Sequence, residues 1–82
     1  MFLAKIIITL HKSMLDPQGK AVQHALQSLH LPDVQEVRIG KFIEMKIKST
    51  EKSQAEKITD EACKKLLANP VMEDYIFSVE KL

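Results

Sequence analysis

An α+β two-layer sandwich follows from three features of this 82-residue chain. Between Val34 and Lys48, the apolar residues Val37, Ile39, Ile43, Met45 and Ile47 all fall at odd positions, the period-two signature of one strand face. A segment with helical spacing lies on each side of that run. An alternating strand lies beyond each helix. The order is therefore βαβαβ with a long bent central strand, related to ferredoxin-like folds, and two helices are expected on one face of the sheet. Residues 1–82 form a single domain, near the small end of what folds alone.

Phe2 to Leu10 predicts the first strand. Phe2, Ala4, Ile6, Ile8 and Leu10 share one face, and Leu3, Lys5, Ile7 and Thr9 share the other. His11 to Leu15 reads as a loop. Asp16-Pro17 then starts a helix: the carboxylate can accept from first-turn amides, and proline suits the first helical position. Val22, Ala25, Leu26 and Leu29 follow at helical spacing, and Pro32 stops the helix near His30 or Leu31. Gly19 sits in the first turn, where a helix former would be more stabilising by about 1 kcal/mol. A glycine there implies that something comes close.

In the long strand, a two-residue hairpin at Gly40-Lys41 conflicts with parity. It would pair Ile39 with Phe42 and continue the apolar set with Glu44 and Lys46. One strand with Gly40 as a bulge, bend or close approach fits better. Ser53 and Glu56 fit a capping box for the second helix, with an earlier start near Glu51 as the alternative. Ala55, Ile58, Ala62 and Leu66 make its expected buried stripe, Cys63 and Leu67 widen it, and Asn69-Pro70 ends it. Val71 to Val79 is the third strand, with Val71, Tyr75, Phe77 and Val79 on one face and Met72, Ile76 and Ser78 on the other.

An apolar fraction of 45% with only two glycines and three prolines describes a folded globular chain and argues against disorder. The net charge of +1 gives no electrostatic footprint for nucleic acid or for an anionic membrane. The single cysteine, Cys63, excludes an internal disulfide and a cysteine-based zinc site, and it suits a reducing, cytoplasmic setting. The N-terminal stretch MFLAKIIITLHK lacks a basic leader and a cleavage motif, so it reads as a strand and not as a signal peptide. No apolar stretch reaches transmembrane length.

Two helices cover one face of such a sheet. The other face is expected to carry Leu3, Ile7, Phe42, Met72 and Ile76 among Lys5, Arg38, Glu44, Lys46 and Asp74. Burying one large apolar side chain is worth roughly 1.5–3 kcal/mol, so the chain is expected to cover this face with another chain, as an oligomer or a complex subunit. Partial cover by its own loops is the plainer alternative.

Little in the sequence suits catalysis. His11, His24 and His30 have no metal-ligand spacing and read as surface histidines. Cys63 reads as a small buried hydrophobe, with no basic partner to activate it. There is no glycine-rich phosphate loop and no serine elbow. Glu73-Asp74 reads as a solvated edge. RNA binding on an open sheet needs adjacent aromatics, and Phe42 stands nearly alone there. Two short motifs stand out. In Leu15-Asp16-Pro17-Gln18-Gly19, a cap explains Asp16 and Pro17 but not Gln18 and Gly19. In Arg38-Ile39-Gly40-Lys41, Arg38 is the only arginine, and Lys41 is a charge in an apolar row. Lys41 can snorkel past the helix ends or pair with an acid or a phosphate. Each motif has a structural reading and a partner-contact reading.

Three blocks, in order, carry a resemblance over essentially the whole chain: Leu15-Asp16-Pro17-Gln18-Gly19-Lys20-Ala21-Val22; Val37-Arg38-Ile39-Gly40-Lys41; and Cys63 to Val71 followed by Glu73-Asp74-Tyr75. The chain resembles the PurS family, the small subunits of the multi-subunit bacterial and archaeal phosphoribosylformylglycinamidine synthase. It departs in having His30-Leu31-Pro32 where family members often have glycine after the first helix. The resemblance implies a non-catalytic role in a cytoplasmic, nucleotide-binding ligase complex of purine biosynthesis. That complex uses ATP and magnesium, with no cofactor held by this chain alone. The implied partners are a second copy of the chain, the PurL synthetase and the PurQ glutaminase, with no nucleic acid and no membrane. The residues expected on subunit contacts are Asp16, Gln18, Gly19, Arg38, Gly40, Lys41 and Phe42. The alternative is a dimeric regulatory module that binds a small metabolite, of ACT-like type.

Overall fold

The computed structural model describes residues 1–82. Its elements are β1 (Phe2–Leu10), α1 (Pro17–Ser28), β2 (Lys41–Ile47), α2 (Lys52–Ala62) and β3 (Glu73–Lys81). A π-helical turn, Cys63–Leu67, prolongs α2 without a break. The sheet order is β2-β1-β3, and both outer strands run antiparallel to β1. β2 and β3 are therefore parallel to each other, and α2 carries the chain from one edge to the other. This is the split βαβ arrangement of ferredoxin-like folds.

The parity read from the sequence sets the two faces. Ile6 pairs with Ile43 and Phe77, and Ala4 pairs with Met45 and Val79, all on the side of α2. There Phe2, Ala4, Ile6, Ile8, Ile47 and Val79 are buried with Ala55, Cys63 and Ala68. On the opposite face Ile7 lies between Phe42 and Ile76. All three are exposed.

Four expectations need correction. The long strand is shorter than its pattern: β2 begins at Lys41, and residues 34–40 form no ladder. No hairpin forms at Gly40-Lys41, since β2 pairs with β1. In chain order β2 is the middle strand, and the sheet places it at an edge, an order that the sequence leaves open. β3 likewise starts two residues after Val71, because Asn69 folds residues 69–72 into a turn, its side chain accepting from the amides of Val71 and Met72.

The second correction concerns the helices. Only α2 packs on the sheet, against β1 and β3, whereas α1 forms no layer on it. Residues 11–40 instead project beyond the sheet as an arm. The Cα extents of 51 × 27 × 14 Å and the radius of gyration of 16.3 Å record this; a compact chain of this length would have a radius of about 12 Å.

Third, the stripe of α2 is rotated. Ala55, Thr59 and Cys63 are buried, while Ile58 and Leu66 are exposed. Thr59 is tolerated there because its hydroxyl donates to the Ala55 carbonyl at 2.8 Å. Fourth, of the two starts read for α2, the capping box at Ser53 does not form and the earlier one holds, with α2 starting at Lys52 and Glu51 as its cap residue. Ser49 supports the start instead, its hydroxyl accepting from the Glu51 amide.

Asp16 caps α1 as expected. The helix ends at Ser28, and His30 then adopts a left-handed conformation with φ of 68°. The Leu31 amide folds back to the Leu26 carbonyl at 3.1 Å. The stop is a left-handed C-terminal turn, a place where glycine is the unstrained residue.

Candidate functional site

The two sequence motifs meet where the arm joins the sheet. Asp16 is buried, and its carboxylate accepts from two amides. One oxygen takes the Gly19 amide at 2.9 Å, closing the first turn of α1, and the other takes the Ile39 amide at 2.8 Å. One side chain therefore ties the outgoing and returning halves of the arm together. These two amides, Ile39 above all, hold the carboxyl below the ordinary Asp range, with a further contribution from the Arg38 charge.

Arg38 does the reciprocal job. Its guanidinium donates to the carbonyls of Met14 at 3.0 Å and His11 at 2.9 Å, fixing the loop after β1. Both glycines allow backbones to touch. A Cβ on Gly19 would collide with the Val37 carbonyl oxygen, and one on Gly40 would lie 2.5 Å from the Ile8 carbonyl oxygen. The close approach inferred for Gly19 is thus made by the chain's own returning segment. Gly40 is where that segment swings onto the edge of β1.

Lys41 lies on the α2 side of β2, opposite Ile8. It resolves its place in the apolar row by reaching solvent, with its ammonium 3.5 Å from the Glu73 carboxylate. Glu73 is the better buried partner, and its other oxygen accepts from the Asn69 amide at 2.9 Å. A cleft of about 230 Å³ at this junction is lined by Asp16, Gln18, Gly40, Lys41 and Glu73. Gln18 points outward on the first turn of α1 and is exposed. Phe42 is not part of this group. It lies on the opposite face of the sheet, in the row with Ile7 and Ile76, above a shallow apolar depression that Lys5 and Ser78 also line.

Several contacts were not legible. Glu73 and Asp74 are not a merely solvated edge: Glu73 faces Lys41, and Asp74 accepts from or pairs with the His11 Nδ1 at 2.7 Å. The Tyr75 hydroxyl donates to Asp60, tying β3 to α2. That bond, then Lys64, lowers the Asp60 carboxyl below its ordinary range. The Lys41–Glu73, His11–Asp74 and Tyr75–Asp60 pairings each span at least 15 residues, so no local signal announces them. Cys63 is fully buried. Burial, and next the Asp60 charge, push its thiol up, away from the reactive thiolate. No three His, Cys, Asp or Glu side chains cluster in a way that could hold a metal ion.

The site is thus a polar clamp flanked by exposed apolar rows, with no nucleophile–base pair in it. Comparison with known proteins agrees with the motifs. The sequence model of the PurS family, phosphoribosylformylglycinamidine (FGAM) synthase, matches residues 3–81. The phosphoribosylformylglycinamidine synthase subunit PurS of Bacillus subtilis is 46% identical over 82 residues, 100% of this chain and 96% of that protein. The crystal structure of Methanocaldococcus jannaschii PurS, one of the subunits of formylglycinamide ribonucleotide amidotransferase in the purine biosynthetic pathway, superposes with a TM-score of 0.89. Its identity to this chain is 41%, covering 100% of this chain and 99% of that one. A chain in the structure of PurLQS from Thermotoga maritima superposes with a TM-score of 0.86 at 27% identity, covering 98% of this chain and 99% of that one.

Proposed function

The chain belongs to the PurS family, and from that premise we propose that it is the non-catalytic assembly subunit that joins a PurL-type synthetase to a PurQ-type glutaminase. It is a subunit of phosphoribosylformylglycinamidine synthase, the ATP-using ligase of purine biosynthesis, and it works with the other components of that enzyme. The family assignment displaces the ACT-like reading.

In our reading ammonia made at the glutaminase must reach the synthetase without escaping or being protonated in water. That requires two enzymes held in one orientation with a dry path between them. A rigid small protein with exposed apolar surfaces on two sides suits this task. The observation that carries the reading is the surface left over. Only 12 of 82 residues are buried, and Ile7, Phe42 and Ile76 form an exposed apolar row. We assign subunit contacts to Gln18, Lys41 and Phe42, which face outward. Asp16, Gly19, Arg38 and Gly40 contribute by holding the clamp that shapes this contact surface. Further partners in this reading are a second copy of the chain, the synthetase and the glutaminase, in the cytoplasm. ATP and magnesium act on the synthetase and not on this chain.

The test is reconstitution. Purified chain, synthetase and glutaminase of the same organism are mixed, and glutamine-dependent ATP turnover on formylglycinamide ribonucleotide is followed. Activity should require this chain. It should fall at least tenfold when Gln18→Ala and Phe42→Ala are combined in a folded protein. Turnover indifferent to the chain would reject the reading, and turnover indifferent to the double variant would reject the contact assignment.

A further inference from the structure

Both outer strands leave a backbone edge open, and the two edges differ. The Leu82 amide donates to the Met1 carbonyl at 3.0 Å and the His11 amide to the Met72 carbonyl at 2.9 Å, both in the register that pairs β1 with β3. Odd residues of β1 therefore exchange their bonds with even residues of β3. The amides and carbonyls of Tyr75, Phe77, Val79 and Lys81 point away from the sheet, and no turn, loop or cap bonds them. Glu73, at the start of β3, is closed off: its amide donates to the Asn69 carbonyl at 2.8 Å. By the same alternation β2 turns the backbones of Phe42, Glu44 and Lys46 outward.

Proteins guard such edges with charge, proline or a bulge. The edge of β2 is guarded, since Glu44 and Lys46 stand among its outward residues. The edge of β3 is not. Its ladder with β1 runs unbroken from Lys81 to Glu73, without proline or bulge, and Tyr75 to Val79 carry no charge. Tyr75 and Phe77 stack with ring centroids 6.3 Å apart and are half-buried beside α2, while Ile76 is exposed on the other face. Charge collects around this stretch and not in it. Asp60 faces β3 through the Tyr75 hydroxyl, and Glu56 lies one turn before it on the same flank of α2. Asp74 and Glu80 bound the stretch on the open face. Against these acids stand Lys64 and Lys81, so the rim of this edge is acidic in a chain of net charge +1.

We propose that β3 accepts an added strand: an extended segment of another component of the synthase, apolar in its middle and carrying Lys or Arg at its ends. This rests on the subunit reading above and names a surface that reading does not use. Alternate outward N–H and C=O groups are matched along their length by the backbone of another strand. Tyr75 and Phe77 on one face and Ile76 on the other give the middle of that strand apolar neighbours. The acids around the stretch select basic ends. A second copy of β3 fits less well. Antiparallel pairing centred on Phe77 sets Asp74 against Glu80 of the copy twice over, like charges directly opposite each other. Glu73, which meets Lys81 in that register, is already held by Lys41 and the Asn69 amide.

Residue-resolved hydrogen exchange tests this, on the isolated chain and on the chain assembled with its synthetase and glutaminase. In the isolated chain the amides of Tyr75, Phe77 and Val79 should exchange about tenfold faster than those of Ile76 and Ser78. On assembly the three should slow by about tenfold. Glu56→Lys combined with Glu80→Lys, both exposed, should weaken assembly roughly fivefold and flatten its dependence on salt, with the far-UV circular dichroism unchanged. Turnover that requires the chain while the three amides exchange as fast as before overturns strand addition and leaves the subunit reading standing. Turnover indifferent to the chain overturns both. Protection of the three amides already in the isolated chain, growing with concentration, gives the edge to a second copy and overturns the proposal. Assembly of E56K/E80K as tight as that of wild type overturns the basic partner. Should that variant fail to fold, Glu56→Gln with Glu80→Gln takes its place, and the same two outcomes decide.

Discussion

The arm and the sheet are held together by different forces. In the body, Phe2, Ala4, Ile6, Ile8, Ile47 and Val79 are buried beneath Ala55 and Cys63. Apolar burial of this kind is non-directional and spread over many contacts. In the arm, the buried residues are Asp16 and Gly19 alone, one charged and one without a side chain. Its cohesion is a carboxylate bound by two amides and a guanidinium bound to two carbonyls. A region held by a few directional bonds keeps its shape but has little stability to spare. The body has an apolar core of its own, whereas the arm is a shaped projection whose apolar stripe of Val22, Ala25 and Leu29 is exposed.

Core truncation should have the largest effect and should act on the body. Ile6 is fully buried at the centre of β1, so Ile6→Ala is expected to cost about 2–5 kcal/mol. Chemical denaturation should show it as a shift of the main transition. Gly19→Ala comes next and acts on the arm. The new methyl group meets the Val37 carbonyl oxygen, which is backbone and cannot swing aside. The cost should be about 1–3 kcal/mol, expressed as faster hydrogen exchange over residues 17–28 with the amides of β1 unchanged. If G19A and I6A weakened protection in both regions equally, arm and body would be one cooperative unit and the contrast would be lost.

Acid should separate the regions more gently. Asp16 has a folded pKa below the ordinary carboxylate value. Its contribution is therefore fully present above about pH 4 and is lost as pH falls through the depressed folded value. Asp60 is lowered too, by Tyr75 and Lys64, but the body keeps its apolar core when that bond weakens. On acidification the Gly19 and Ile39 amides should lose exchange protection before those of β1 do. In Asp16→Asn they should already be weakly protected at neutral pH, and the acid step in the arm should disappear. Simultaneous loss in both regions at acid pH would show that Asp16 does not act as the arm's fastener.

What could be read from the sequence follows the same division. Within the ladder, alternation assigned the faces correctly because burial in strands is a local, period-two property, but Arg38, Val71 and Met72, also expected on those faces, lie outside the strands. The Asp16 cap was legible for the same reason, as it acts three residues away. The placement of α1 was not. Val22, Ala25 and Leu29 state that the helix has an apolar side, but not whether their cover comes from the same molecule. The strand pattern likewise ran past Gly40, since Val37 and Ile39 keep parity while they turn from the ladder to the arm. Gly19 and Gly40 were legible as close approaches, yet the approaching atoms belong to Val37 and Ile8 of the chain itself. The α2 stripe was misjudged by part of a turn, because Thr59 can be buried once its hydroxyl finds the Ala55 carbonyl. Apolarity alone ranks Ile58 and Leu66 above it.

The smallest expected effect sharpens the comparison from the stabilising side. His30 is held at φ of 68°, where a side chain costs roughly 1 kcal/mol that glycine does not. Part of that gain is offset by the greater freedom of glycine in the unfolded chain, so His30→Gly should stabilise by about 0.5 kcal/mol. The change lies wholly in the arm. It should slow hydrogen exchange at the Leu29 and Leu31 amides, which close the C-terminal turn onto Ala25 and Leu26, and leave the body as it was. It also makes G19A the informative background. If the arm is a separate unit, H30G should recover part of the protection that G19A removes. If arm and body unfold together, the recovery should spread over β1 as well.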